Sequence, residues 1–290
     1  MNLSDVMRRV WFEMGDLSII TATDGSATTV VDTNTPYTTD DALLGGTAIV
    51  IDTTDGLAPK GKFSRITDFA ASTKTFTIET VTDAIGAGDT IGLAKPKIKA
   101  AQMKQAVNDA LRDHIGTISL VDTSLTTVAE QTEYALPVTL KLKQLKDVLI
   151  QTVTTDSDDN QYQSIKGATY VEPALPGSTG LLVIPEYDAG RKIKIIYEGL
   201  HPELTAYDSK VSETVPEALM VAAALEKALT WLVSKRGDSA LGGFLIQKYN
   251  DAKQAIANAK VESPVYRASK KSRFFLLNRD NYADRISGSD

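Results

Sequence analysis

The chain has 290 residues, with 31 Lys plus Arg against 37 Asp plus Glu, a formal net charge of −6 and no cysteine. That length allows two domains with substantial cores, and the missing cysteines exclude disulfides and thiolate metal sites. The acidic balance argues against a dedicated nucleic-acid binder, which needs a basic footprint to displace counterions.

The amino terminus, Met1-Asn2-Leu3-Ser4-Asp5, lacks the basic-then-apolar pattern of a secretory signal. The expectation is a protein that stays where it is made or is carried elsewhere within a larger object. Leu3, Val6, Met7, Val10, Trp11 and Met14 fall at helical spacing. They predict a short helix capped at Ser4 and stopped at Gly15, which needs a partner surface to be stable. Threonine, aspartate and glycine dominate 16–95, and β-type runs at 47–51, 62–69, 75–80 and 90–93 predict a small antiparallel barrel or sandwich. This stretch has a local net charge of −6, expected to be a solvated surface or a docking face for a basic partner.

From Pro96 the pattern is helical again, with Ile98, Ala101, Ala106, Val107, Ala110, Leu111 and Ile115 on one face and a stop at Gly116. Strand candidates at 124–136, 148–153, 181–184 and 193–197 then predict a second small sheet, with turns at 156–160, 176–177 and 188–190. At Thr214-Val215-Pro216-Glu217 a capping threonine, a first-turn proline and a capping-box glutamate predict the start of an almost uniformly apolar helix. Glu217, Glu226 and Lys227 interrupt that segment and speak against a membrane span. A second helix carries Leu241, Leu245, Tyr249, Ala252, Ile256 and Ala259 on one face, and Ser263-Pro264 should end it. The last 27 residues have a net charge of +3, against −9 for the rest of the chain. Large apolar groups interleave with that basic charge, so the segment must be covered, either by its own domain or by another subunit.

The expected fold is α+β. A helical core (N-terminal helix, central helix and C-terminal helical hairpin) carries two inserted small antiparallel β modules and an extended C-terminal arm. The expected parts are a core helix at 1–15, a β insertion at 16–95, a core helix at 96–116, a second β domain at 117–213, the hairpin at 214–262 and the arm at 263–290.

Candidates for chemistry are few. His114 near a helix end and His201 before Pro202 are isolated, and each is expected to interact with solvent or a helix end rather than to catalyse. Neither a nucleophile elbow nor a Walker loop is present. Gly86-Ala87-Gly88-Asp89 predicts a turn between strands, and Asp156-Ser157-Asp158-Asp159-Asn160 lacks the glycine and terminal glutamate of an EF-hand loop. No catalytic residue, cofactor or metal is expected, and the protein is read as a non-enzyme.

The order helix, β module, helix, β domain, hairpin and tail, together with Ala106-Val107-Asn108-Asp109-Ala110-Leu111, Asp122-Thr123-Ser124-Leu125-Thr126-Thr127 and Glu133-Tyr134-Ala135-Leu136-Pro137, resembles the head-to-tail adaptor proteins of tailed bacteriophages. Gly45-Gly46-Thr47-Ala48-Ile49-Val50-Ile51, with Ser64-Arg65-Ile66-Thr67-Asp68 and Gly88-Asp89, is similar to β modules of phage virion proteins. The resemblance implies a homo-oligomeric ring, usually of twelve subunits, in the virion neck, assembled in the host cytoplasm. Such a ring binds the portal on one side and a stopper or tail protein on the other, and double-stranded DNA passes through it without sequence-specific binding. No membrane is involved.

The resemblance further implies that the arm reaches the portal. Tyr266, Phe274, Phe275, Leu276, Leu277 and Tyr282 would then be anchors, and Arg267, Lys270, Lys271 and Arg273 would set orientation. Leu219, Leu225, Leu229, Leu232 and Trp11 are the expected ring-core packing residues. The alternatives are another neck or tail-completion protein, such as a stopper or terminator, and a carbohydrate- or surface-binding β module.

Overall fold

The computed structural model describes residues 1–54, 56, 59–137, 142–152, 161–171, 179–236 and 242–265. Helix α1 (Leu3–Glu13) opens the chain. Its cap is Asn2, not Ser4. The Asn2 side chain accepts from the Asp5 amide at 2.9 Å, and the Asp5 carboxylate accepts from the Asn2 amide at 3.2 Å, a reciprocal capping box. Gly15 ends the helix at φ +71°, a backbone that few other residues adopt at low cost.

Strands β1 (Leu17–Thr21), β2 (Asp24–Gly25), β3 (Thr29–Val31), β4 (Thr47–Asp52), β5 (Phe63–Ala70), β6 (Thr75–Ile78) and β7 (Thr90–Ala94) form one antiparallel sheet in the order β1-β7-β4-β5-β6-β3-β2. The first part of β5 pairs with β4 and the rest with β6. Around this division lies a core that includes Val30, Val50, Ile66, Phe69, Phe76 and Ile91. Phe69 and Phe76 stack with centroids 4.3 Å apart, and Tyr37 meets both rings edge-on. The first and last strands, β1 and β7, pair with each other from Leu17↔Ala94 to Thr21↔Thr90. The chain therefore leaves α1 and returns at neighbouring points, where the Lys95 amide donates to the Asp16 carbonyl at 2.9 Å.

Helix α2 (Ala100–Ala110) runs into a π-helical turn (Leu111–Ile115), closed by a bond from the Gly116 amide to the Leu111 carbonyl at 3.0 Å. Later come α3 (Glu217–Arg236) and α4 (Gly242–Glu262). The four helices, the seven-stranded sheet and the 201–211 loop make one compact unit, 1–116 with 201–265. Asn108 fixes the loop to α2. Its side chain donates to the Leu204 carbonyl at 3.1 Å and accepts from the Leu204 amide at 2.9 Å.

The second compact unit is 117–200. It contains β8 (Thr117–Thr126), β9 (Glu133–Ala135), β10 (Leu142–Gln151), β11 (Tyr162–Ser164), β12 (Thr169–Val171), β13 (Leu181–Val183) and β14 (Lys192–Leu200). These form two antiparallel sheets, β11-β10-β14-β8 and β12-β13-β9, over a core that includes Tyr134, Val148, Ile150, Leu182, Ile193 and Ile195.

A helical core with small β insertions is therefore not the fold. Among the described residues the structure is mixed α+β with a large seven-stranded antiparallel sheet, two smaller sheets and four α-helices. Each β region encloses a buried core of its own, so neither is an appendage held up by helices. The expected strand at 124–136 is two strands in different sheets, β8 and β9. The expected cap Thr214 instead shares a hydroxyl contact with Ser212 at 2.9 Å, and the first helical bond of α3 runs from Met220 to Pro216. The expected turns at 156–160 and 176–177, and the arm from Tyr266 onward, lie outside the described residues.

Candidate assembly surface on the helical layer

Helix α3 is the hub of the helical layer, packed against α1, α2, the π-helical turn and α4. Its near-uniform apolar surface needs that many neighbours. Leu219, Leu229 and Leu232 are buried within this layer, as is Trp11 of α1, whose ring lies 6.1 Å from Phe63 of the sheet. Leu225 is only half-buried. It lines a groove of about 630 Å³ with Phe12, Ile19, Val221 and Ala255. Phe12 is 62% exposed and Ile19 52%, large values for such side chains on a folded surface.

Charged contacts fix the rim of this groove. Arg9 of α1 pairs with Glu217 at the start of α3, and Lys248 of α4 donates to the Glu13 carbonyl at the end of α1 at 2.6 Å. A cation at a helix carboxyl end is favoured by the unsatisfied carbonyls there. Beneath, Asp16 is 2% exposed and its carboxylate meets Lys97 at 2.6 Å. That pair closes the base of the sheet between its first and last strands.

On the other side of α3, Glu226 is buried and its carboxylate lies 3.3 Å from His114 Nε2 on the π-helical turn. Lys227 bridges to Asp113 at 2.9 Å. Its hydrogen bond holds the Asp113 carboxyl below the usual carboxylate range, with Arg112 adding to the effect. Burial works against the charge on Lys227, yet Asp113, Glu226 and Asp109 together keep its ammonium above the ordinary lysine value. The π-helical turn turns His114 and Asp113 toward α3, and this network joins the two helices.

His201 sits in the loop expected for it. Its Nδ1 faces the Pro202 carbonyl at 2.7 Å and its Nε2 accepts from the Ser212 amide at 2.9 Å, so the ring knits the loop rather than meeting a substrate. The Gly86–Asp89 turn is also as expected, with Gly88 at φ +91°. Asp89 is buried there and accepts from the Gly86 and Thr54 amides, each at 2.8 Å. With Asp16 and Asp32 it belongs to the acidic excess of 16–95, part of which is therefore internal structure rather than solvated surface.

Among the described residues, no three His, Asp or Glu side chains come together as a metal site, and no helix is long and apolar enough to cross a membrane. The Glu226 network and the groove were not foreseen from the sequence, because their members lie more than a hundred residues apart. The ten residues expected to bind a portal, from Tyr266 to Tyr282, lie outside the described residues.

Helices gathered round one hub, with a groove and large apolar side chains left at the surface, are the features of an assembly protein. A family model described as SU10 adaptor protein matches residues 70–269, well over half of the chain. No curated protein matches at a significant level. The chain belongs to the SU10 adaptor family of phage head-to-tail adaptors and is a structural virion protein.

Proposed function

We propose that this adaptor assembles as a ring, of about twelve copies by resemblance to phage adaptors, between the portal and the stopper or tail protein. The ring extends the DNA channel in the virion neck. Family membership carries this proposal, since the matched segment takes in α2, α3, α4 and the whole 117–200 unit. The exposed apolar groove supports it, because apolar patches with a charged rim are common at protein–protein interaction surfaces. The C-terminal arm provides the portal contact, with Tyr266, Phe274, Phe275, Leu276, Leu277 and Tyr282 as anchors. Arg267, Lys270, Lys271 and Arg273 set its orientation against acidic portal surface. The net charge of −6 suits a channel wall that must let DNA pass without holding it.

A chain truncated after Val265 tests the arm. It should keep the fold and thermal unfolding midpoint of the full chain and lose at least about tenfold in affinity for the portal ring, read by co-sedimentation. Unchanged portal attachment would remove the arm from the interface.

A further inference from the structure

Helix α4 has a pattern of side chains that its own fold does not use. Its 21 residues bury Ala252, Ile256 and Ala259 against the layer. At about 100° per residue, the line opposite that face carries Gln247, Asn250, Gln254 and Asn258, all exposed and uncharged, and ends at Val261, 83% exposed. Between the buried face and this amide line lie two flanks. Asp251 and Glu262 fall within about 20° of one another on one flank, Lys253 and Lys260 within about 20° on the other, and the two pairs are about 180° apart. All four are exposed, and none has an ion-pair partner among the described residues. Lys253 lies over its own neighbour Tyr249, 4.4 Å from the ring centroid.

The flanks also differ in apolar character. The acidic flank borders the groove, since Ala255 of α4 lines it together with Phe12, Ile19 and Leu225. Glu13 adds another carboxylate there, while Arg9 is committed to Glu217 and Arg8 lies 3.8 Å from Asp5. The lysine flank carries Ile246, which is 45% exposed. Phe244, 55% exposed, and Lys248, committed to the Glu13 carbonyl, lie at the start of the acidic flank, so each flank carries an exposed apolar side chain, and the acidic one also borders the groove.

We infer that the lysine flank of α4 docks on the acidic flank and adjoining groove of a second copy of this chain, so that copies join head to tail. This rests on the ring assembly proposed above and names its seam. The charge spacing supports a parallel neighbour. Lys253 follows Asp251 by two residues and Lys260 precedes Glu262 by two, so in parallel helices at equal height each lysine lies about 3 Å along the axis from an acid. A two-fold pairing sets like flank on like flank, carboxylates facing carboxylates, and is disfavoured. A head-to-tail contact has no such conflict, and repeated by rotation it closes a ring. Exposed ion pairs contribute little affinity. The groove and Ile246 supply it, and the charges choose partner and register. In that arrangement the amide line of every α4 faces away from the seam and away from its own α3.

Charge exchange on the full chain tests the seam, with assembly read by light scattering alone and on a portal ring. The double variants K253E/K260E and D251K/E262K, and the variant with all four reversed, change only exposed positions, and circular dichroism and thermal melting check that each stays folded. Each double variant should lose at least about tenfold in assembly affinity. An equimolar mixture of the two double variants should recover assembly, as should the fourfold variant, because every seam again pairs acid with base. Double variants that assemble like the parent, or mixtures that recover nothing, would overturn the seam while leaving the ring intact. A parent chain that stays monomeric both alone and on the portal would instead remove the ring itself.

Discussion

Burial pushes the His201 imidazole below its ordinary value of 6.5, and the bond toward the Pro202 carbonyl only partly offsets this. With Nδ1 donating to that carbonyl, Nε2 must stay unprotonated to accept from the Ser212 amide. The unfolded chain therefore binds more protons than the folded chain as pH falls below 6.5. The His201 contribution is fully present above that pH and is lost as pH drops through the lowered folded value. Urea unfolding at pH 7 and pH 5 should give the lower stability at pH 5, and His201→Ala should be less stable at pH 7 and show a smaller difference between the two. An equal pH difference in parent and variant would mean that other groups cause it. The sequence marked His201 as a loop residue, and that much was legible because it precedes Pro202 between two ordered elements. The Ser212 bond was not legible, since it depends on how the loop folds back over eleven residues.

At the scale of elements, the large sheet stands on its own aromatic core. Phe76 is fully buried between Phe69 and Tyr37. Phe76→Ala should cost about 3–5 kcal/mol and remove hydrogen-exchange protection from the amides of β4 to β7. A loss below about 1 kcal/mol would mean that this core does not hold the sheet. The helices were read from sequence because their apolar spacing persists over three turns or more. The short strands β1, β2 and β3 were not, because runs of two to five residues are too short to establish an alternating pattern, and without them the sheet looked like a small insertion. The break between β8 and β9 was missed for a different reason. It turns on Glu130 at φ +62°, a left-handed backbone that glutamate does not advertise. The groove was beyond the sequence altogether, since its lining comes from four elements, α1, β1, α3 and α4, brought together only by the fold. The buried face of α4 was legible, since Ala252, Ile256 and Ala259 belong to the apolar face read from the sequence, but the groove beside its acidic flank was not.

At the scale of the whole molecule, family membership and surface together support the proposed assembly. The matched family segment includes α2, α3, α4 and the whole 117–200 unit. The net charge is negative apart from a C-terminal segment of opposite sign, and the apolar groove lies open beside α4. An adaptor binds other virion proteins, so the state of association is the property to measure. The most direct measurement is the mass and shape of the full chain, alone and mixed with a portal ring, by light scattering and negative-stain imaging. A ring, or a monomer that becomes a ring on the portal, is the predicted result. A compact monomer that ignores the portal would contradict the adaptor ring.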